Sequence, residues 1–265
     1  MASIMKLLIL SLLSLFLIAC GNDSSTSANN LDGEISSKSS SSQKTVSSSS
    51  DKVTEAVNPA DVIVGSMTDS RDGQNYKTVT IGFQTWMAEN LNYETENSYC
   101  YDDKSSNCAK YGRLYTWASA MDSAGVWSTN GKGCGYGSAC SPSGIIRGVC
   151  PKGWHLPNNA EWKVLLSAVG DSLIAGLKIK STFGWREGNG KSGNGIDAFG
   201  FSALPAGYRH DSGMCYYEED YAHFWSSTED SSNDAYLMFL YYRYDYASIN
   251  DVLKYYGFSV RCLKD

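Results

Sequence analysis

The stretch "GVCPKGWHLPNNAEWKVLLSAVG" (Gly148–Gly170) sets a cysteine and a stiff Trp-His-Leu-Pro corner directly before a helix. Asn158 is a favourable N-cap, and Glu161 three residues on approximates a capping box. Pro157 at N′ is placed to pack on Trp162 as a hydrophobic staple. Trp162, Leu165, Leu166 and Val169 follow helical spacing, and Gly170 supplies a C′ stop. The helix is therefore short, buried on one face and firmly delimited. Cys150 and His155 allow two readings: a catalytic or metal-binding pair, or a staple that pins the helix start to a distant strand. In the extended segment before the helix, Trp154 and Leu156 share one face and His155 takes the other. That placement predicts His155 as a partly exposed polar residue and favours the staple.

The staple needs a partner. The chain has 8 Cys. Cys100 and Cys108 bracket "CYDDKSSNC", Cys134 and Cys140 bracket "CGYGSAC", and a bridge would rigidify either loop. Cys150 and Cys262 then form the long-range bridge, with Cys215 as the odd thiol. In "YYGFSVRCLKD" (Tyr255–Asp265), alternation puts Phe258, Val260 and Cys262 on one face, so Cys262 points at the core. Cys-x-x-Cys pairs are absent, and His155, His210 and His223 show no ligand spacing, which argues against a metal site.

The amino-terminal part has a different character. Lys6 precedes the apolar run "LLILSLLSLFLI" (Leu7–Ile18), too short to span a bilayer and suited to a secretory leader over residues 1–19. Leu17-Ile18-Ala19-Cys20 resembles the lipobox of exported bacterial lipoproteins, which implies cleavage before Cys20 and acylation of it. Residues 20–60 are Ser-rich and aromatic-free, and read as a tether with a reach of about 35 Å. From Asp61 the composition changes, and all 7 Trp and 18 Tyr lie beyond it. Residues 61–265 suffice for one substantial core. The net charge of −6 excludes nucleic acid as the expected partner. Contact with a membrane is expected through the lipid alone, and the location is an outer membrane or cell surface.

Within the domain, "YKTVTIGFQTWM" (Tyr76–Met87) alternates around Gly82-Phe83, predicting a hairpin with a type II′ turn. Leu114, Trp117, Ala118 and Met121 fit an amphipathic helix with Trp117 in the core. "DAFGFSALPAGYR" (Asp197–Arg209) and "DAYLMFLYYR" (Asp234–Arg243) read as strands, the second central. The expected fold is α+β, loop-rich and stapled by disulfides, with two helices on a mainly antiparallel sheet.

"GQNYKTVTIGFQTWMAENLNY", "YGRLYTWASAM", "GVCPKGWHLPNNAEW", "GFSALPAGYR", "FWSSTE" and "YGFSVRCLKD" resemble, in this order, the Fibrobacter succinogenes major paralogous domain family. Its members are exported or lipid-anchored bacterial proteins without an assigned activity. A wider resemblance reaches the C-type lectin-like fold shared by formylglycine-generating enzymes, through Cys150, Gly153, Leu156, Glu161 and Cys262. The functional sites of those relatives do not carry over. The nearest approach to the calcium motif of sugar-binding lectins is Ser232-Asn233-Asp234, without a preceding Trp. No cofactor is expected, with calcium left open because only its usual motif is missing. The enzymes' copper-holding cysteine pair is reduced here to Cys262.

The function expected is a surface binding module for polysaccharide or a protein partner. Aromatic side chains with acidic neighbours suit such faces, because rings stack and carboxylates accept from hydroxyls. The residues singled out are Tyr208, Tyr217, Glu219, Trp225, Tyr242 and Tyr244. A display protein that binds nothing needs the same frame and is the alternative. An oxidoreductase-like enzyme is implied only through the fold resemblance, since no nucleophile-elbow, Walker or His-Glu-x-x-His pattern occurs.

Overall fold

The computed structural model describes residues 56–265. The leader, Cys20 and most of the tether lie outside the described residues. The described fold includes Ala56–Ala60, which composition alone assigns to the tether.

The first half carries β1 (Ile63–Thr68), β2 (Asn75–Ile81), β3 (Gln84–Met87) and β4 (Ser98–Tyr99), then α1 (Ser105–Tyr111), β5 (Leu114–Tyr115) and α2 (Trp117–Ala120). After β6 (Trp154–His155) come α3 (Asn159–Ala168) and α4 (Ser172–Ile179). Short strands β7 (Glu187–Gly188), β8 (Lys191–Ser192), β9 (Tyr208–Arg209) and β10 (Cys215–Tyr216) follow. The last four are β11 (Tyr221–Glu229), β12 (Asp234–Tyr241), β13 (Ala247–Leu253) and β14 (Leu263–Lys264). A five-stranded antiparallel sheet has the order β1-β2-β3-β14-β6, and a three-stranded one the order β11-β12-β13. The described residues are α+β and mainly antiparallel, with four α-helices where periodicity gives two.

Local sequence rules account for several elements. Ile81 pairs with Gln84 across Gly82-Phe83, and Gly82 supplies the positive φ (+63°) that a first turn residue of this kind requires. At α3, Asn158 Oδ1 accepts from the amides of Ala160 and Glu161, and Glu161 Oε2 accepts from the Asn158 amide. The capping box is complete. Trp162 then stacks on Trp86 of β3 at 4.7 Å, with Phe201 and Phe224 against the pair. β12 is central in its sheet and pairs with neighbours on both edges.

Long-range partners override local pattern elsewhere. Leu114 and Tyr115 do not join a helix. They pair with Tyr99 and Ser98, Tyr115 also bridges to Phe258, and Thr116 caps a helix of only Trp117–Ala120. Residues 197–207 mix buried and half-buried positions but do not form a strand. Gly200, Ser202 and Gly207 take positive φ, and the Phe201 and Ser202 carbonyls accept from Arg261 instead of a neighbouring strand. Arg261 is fully buried with no carboxylate contact, and its other bonds go to Asn90 Oδ1 and the Met87 carbonyl. Burial pushes its pKa down to about 9, against the distant charges of Asp197 and Glu89.

Among the described residues three disulfides are present: Cys100–Cys108, Cys134–Cys140 and Cys150–Cys262. Cys215 is a free thiol whose sulfur accepts from the Asp102 amide. His155 corrects the expectation of partial exposure. Its side chain is 5% exposed because β14 pairs alongside β6, and its two ring nitrogens meet Asp265 Oδ1 (2.8 Å) and Glu161 Oε1 (3.0 Å). Burial alone would lower its pKa, but the two carboxylate hydrogen bonds outweigh burial and hold it above the ordinary 6.5. For Glu161, burial is likewise outweighed, by His155 and the Asn158 amide, so its pKa lies below 4.5.

Two outcomes follow from these contacts. The raised His155 pKa contributes stability that is complete below about pH 6.5 and disappears as pH climbs through the folded value. The lowered Glu161 pKa contributes above about pH 4.5 and is lost as pH falls through its folded value. Thermal melts across pH 3–9 should therefore show a mildly acidic optimum, and His155→Gln should flatten it; an unchanged profile in the variant would remove the ion pair as its origin. Separately, Cys150 and Cys262 are 112 residues apart. Replacing both with serine should lower unfolding free energy by roughly 4–5 kcal/mol, less any strain, as read from denaturant midpoints.

Candidate functional site

Alternation along β11 sends Ala222 and Phe224 into the main core and leaves Tyr221 and His223 on the opposite face. Cross-strand register sets Tyr241 opposite Tyr221 and Phe239 opposite His223, while β13 adds Asn250 opposite Leu237. Tyr208 on β9, Tyr217 just after β10, and Tyr256 and Phe258 complete the wall of a cleft of about 410 Å³. Tyr217 adopts φ +60°, which turns the chain back so that its ring stands over Tyr221.

The rings form a continuous path. Tyr256 to Tyr208 is 5.3 Å between centroids, Tyr208 to Tyr217 5.8 Å, and Tyr217 to Tyr221 5.4 Å. Tyr221 stacks on Tyr241 at 4.4 Å, and the path leaves the cleft through Tyr244 (5.2 Å) to Tyr246 (4.8 Å, stacked). Tyr217 is 52% exposed and Tyr244 44%. The turn carrying Tyr244 is held from below by Lys180, a buried side chain at the end of α4. Its Nζ donates to the carbonyls of Tyr244 (3.0 Å) and Tyr241 (3.3 Å) and lies over the Trp185 ring. Burial pushes the Lys180 pKa down to about 8, with Asp245 opposing.

The site is electrically quiet. Burial raises the pKa of Tyr208 and of Tyr221, and burial with the Tyr242 hydroxyl pushes Tyr241 up to about 12, so these groups stay protonated at neutral pH. Burial pushes His223 down to about 4, leaving a neutral ring between Tyr221 and Phe258. Polar atoms at the rim come from Asn250 and Asp251. Hydroxyls, an amide and one carboxylate among flat rings make a surface that stacks and hydrogen-bonds. No nucleophile paired with a base lies among these lining residues.

Of the residues singled out from sequence, Tyr208 and Tyr217 line the cleft and Tyr244 extends it. Glu219 is exposed but sits in the tight turn before β11, where its backbone bonds to Pro205 and Arg186, and it does not line the cleft. Two are corrected. Trp225 is fully buried, its indole N–H donating to the Tyr115 carbonyl at 2.7 Å. Tyr242 belongs to the main core, its hydroxyl accepting from Arg243. Neither presents a face to a ligand. His223, Phe239, Tyr256 and Asn250 escaped the sequence reading. The period-two pattern of "YAHFW" could have found His223, but nothing local marks Tyr256 as a neighbour of Tyr208.

A second, polar pocket of about 420 Å³ lies beside Glu229. Glu229 there accepts from the amides of Cys140 and Ser141 and from Lys254 Nζ, and Lys254 also donates to the carbonyls of Ser138 and Ser232. These bonds latch the Cys134–Cys140 loop to the second sheet and leave the carboxylate committed. Among the described residues no group of three or more His, Cys, Asp or Glu could hold a metal ion, and no helix is long and apolar enough to cross a membrane.

Comparison with curated proteins returned no match, and comparison with solved structures returned none. The family model described as the Fibrobacter succinogenes major domain matches residues 79–264, from β2 through β14. The chain belongs to the Fibrobacter succinogenes major domain family.

Proposed function

We propose that this domain is a non-catalytic binding module that takes up a polysaccharide chain along its tyrosine path, displayed at the cell surface by acylated Cys20. The observation that carries the reading is the ring-to-ring path from Tyr256 to Tyr246, open to solvent at Tyr217 and Tyr244. Tyrosine rings offer flat apolar faces to the C–H faces of sugars, and their neutral hydroxyls donate and accept at once. A path, in place of a closed cavity, suits a chain over a small molecule. A C-type lectin-like arrangement is part of the proposal. It is supported by the bridge from Cys150, before α3, to Cys262, beside β14, and by the return of β14 against β3 and β6.

Mature chain should be retained on insoluble cell-wall polysaccharides, in calcium and in chelator alike, because the aromatic path carries no set of metal ligands. Tyr217→Ala combined with Tyr244→Ala should weaken retention about tenfold, each ring supplying on the order of 0.5–1.5 kcal/mol. Both side chains are exposed, so the fold should survive, as a circular dichroism spectrum would check. Undiminished retention of the double variant would remove the tyrosine path as the site. No retention of the parent on any polysaccharide would shift the reading to a display scaffold.

A further inference from the structure

The described chain begins at Ala56, between two corners of the domain. The Val57 amide donates to the Ala168 carbonyl at the end of α3 (2.7 Å), and a Cβ on Gly82 would meet a Val57 methyl at 3.3 Å. Ala56 also lines a shallow pocket with Gly170 and Ser172, and Ile174 packs beside Gly170. The chain thus enters between the tip of the β2–β3 hairpin and the α3–α4 corner. β1 starts beside the same tip, since Ile63 pairs with Thr80.

That end of the molecule exposes large apolar side chains, with Lys163 and Asp171 lining the pocket beside Ala56. Phe83 at the hairpin tip is 72% exposed, Leu173 72%, Val64 73%, Ile63 66% and Ile174 40%. Soluble surfaces scatter such residues singly, and a concentration of them marks an interaction face. Turn tips of this kind ordinarily carry Gly, Asn, Asp or Ser, yet Phe83 buries little of its ring. Edge strands are ordinarily blunted with Lys or Pro, and "IVGSMT" has neither, nor any charge.

We propose that this face rests on the lipid bilayer, inserting Phe83, Leu173 and the start of β1 at headgroup depth. The proposal rests on the reading of Cys20 as the lipidated residue. The chain that carries Cys20 joins the domain in the middle of the patch, so this is the face at which the lipid anchor is attached. Apolar side chains settle about 5–10 Å into the headgroup and acyl boundary. Lipidation of Cys20 would hold the domain at high effective concentration near the surface, so a contact too weak to act from solution is sufficient. The chain's acidic charge gives no attraction to anionic lipid, and the contact is therefore apolar and insensitive to salt.

The test uses the full mature, lipidated chain reconstituted in phosphatidylethanolamine–phosphatidylglycerol vesicles that contain nitroxide-labelled lipid. Tryptophan is introduced as Phe83→Trp, and separately as Tyr136→Trp, a position 53% exposed and packed by Tyr255. The added emission of the Phe83→Trp chain should be quenched several-fold more than that of the Tyr136→Trp chain, at low and high salt alike. Vesicle-bound chain with the two positions equally unquenched would overturn the docking face and leave the anchor standing. Chain that stays in the aqueous phase would overturn both. A blue shift at position 83 without quenching, growing with protein density, would assign the face to a second copy and overturn the bilayer as its occupant.

Discussion

The Arg261 guanidinium carries five N–H donors and lies away from water, so five acceptor contacts must converge on it. Asn90 Oδ1 takes two, and the carbonyls of Met87, Phe201 and Ser202 take the rest. No carboxylate neutralises it. Its charge is held by carbonyl dipoles and by the rings of Phe201 and Phe224, at 4.6 and 5.3 Å. Losing any part of this set would leave a buried charge or buried carbonyls unpaired, each costing more than an ordinary hydrogen bond is worth. Around it, the segment Phe258–Lys264 touches nearly every part of the domain. It bridges to Tyr115 and Phe224, bonds backbone to backbone with Leu91 and Met87, and ends between β3 and β6.

What could be read directly from the chain is what short-range chemistry decides. Asn158 and Glu161 fix the start of α3 because a cap is satisfied within a few residues. Gly82 fixes the hairpin because only its φ matters. The two small cysteine loops close on themselves. Residues whose fate depends on distant groups were misread for a common reason. Asp197–Gly207 looks like a strand, but its Phe201 and Ser202 carbonyls are claimed by an arginine some sixty positions away. Leu114 looks helical, but β4 and Phe258 need extended backbone there. His155 looks exposed until β14 is laid beside it.

The same distinction governs the candidate site. Composition announced an aromatic carboxy-terminal half but could not say which rings face outward. The register of β11 against β12 decides it, turning Tyr221, His223, Phe239 and Tyr241 to one side. Trp225 shares their parity yet is covered, because Phe258 of the central segment lies over it at 4.7 Å. Thus the segment that closes the core also marks where the aromatic face stops. Glu229 and Lys254 show a related economy. The Glu229 carboxylate, beside a pocket, is used to latch a loop.

The place of β14 within the first sheet has a kinetic side. β3 and β6 are neighbours only through β14, which follows all the other strands in the chain. The larger sheet cannot be completed without β14, whose pairings with β3 and β6 each span more than a hundred residues. Topologies dominated by such distant pairings collapse slowly, since loop-closure entropy is spent before the contacts that repay it are made. A polypeptide built this way leaves its larger sheet unsealed until β14 has been made.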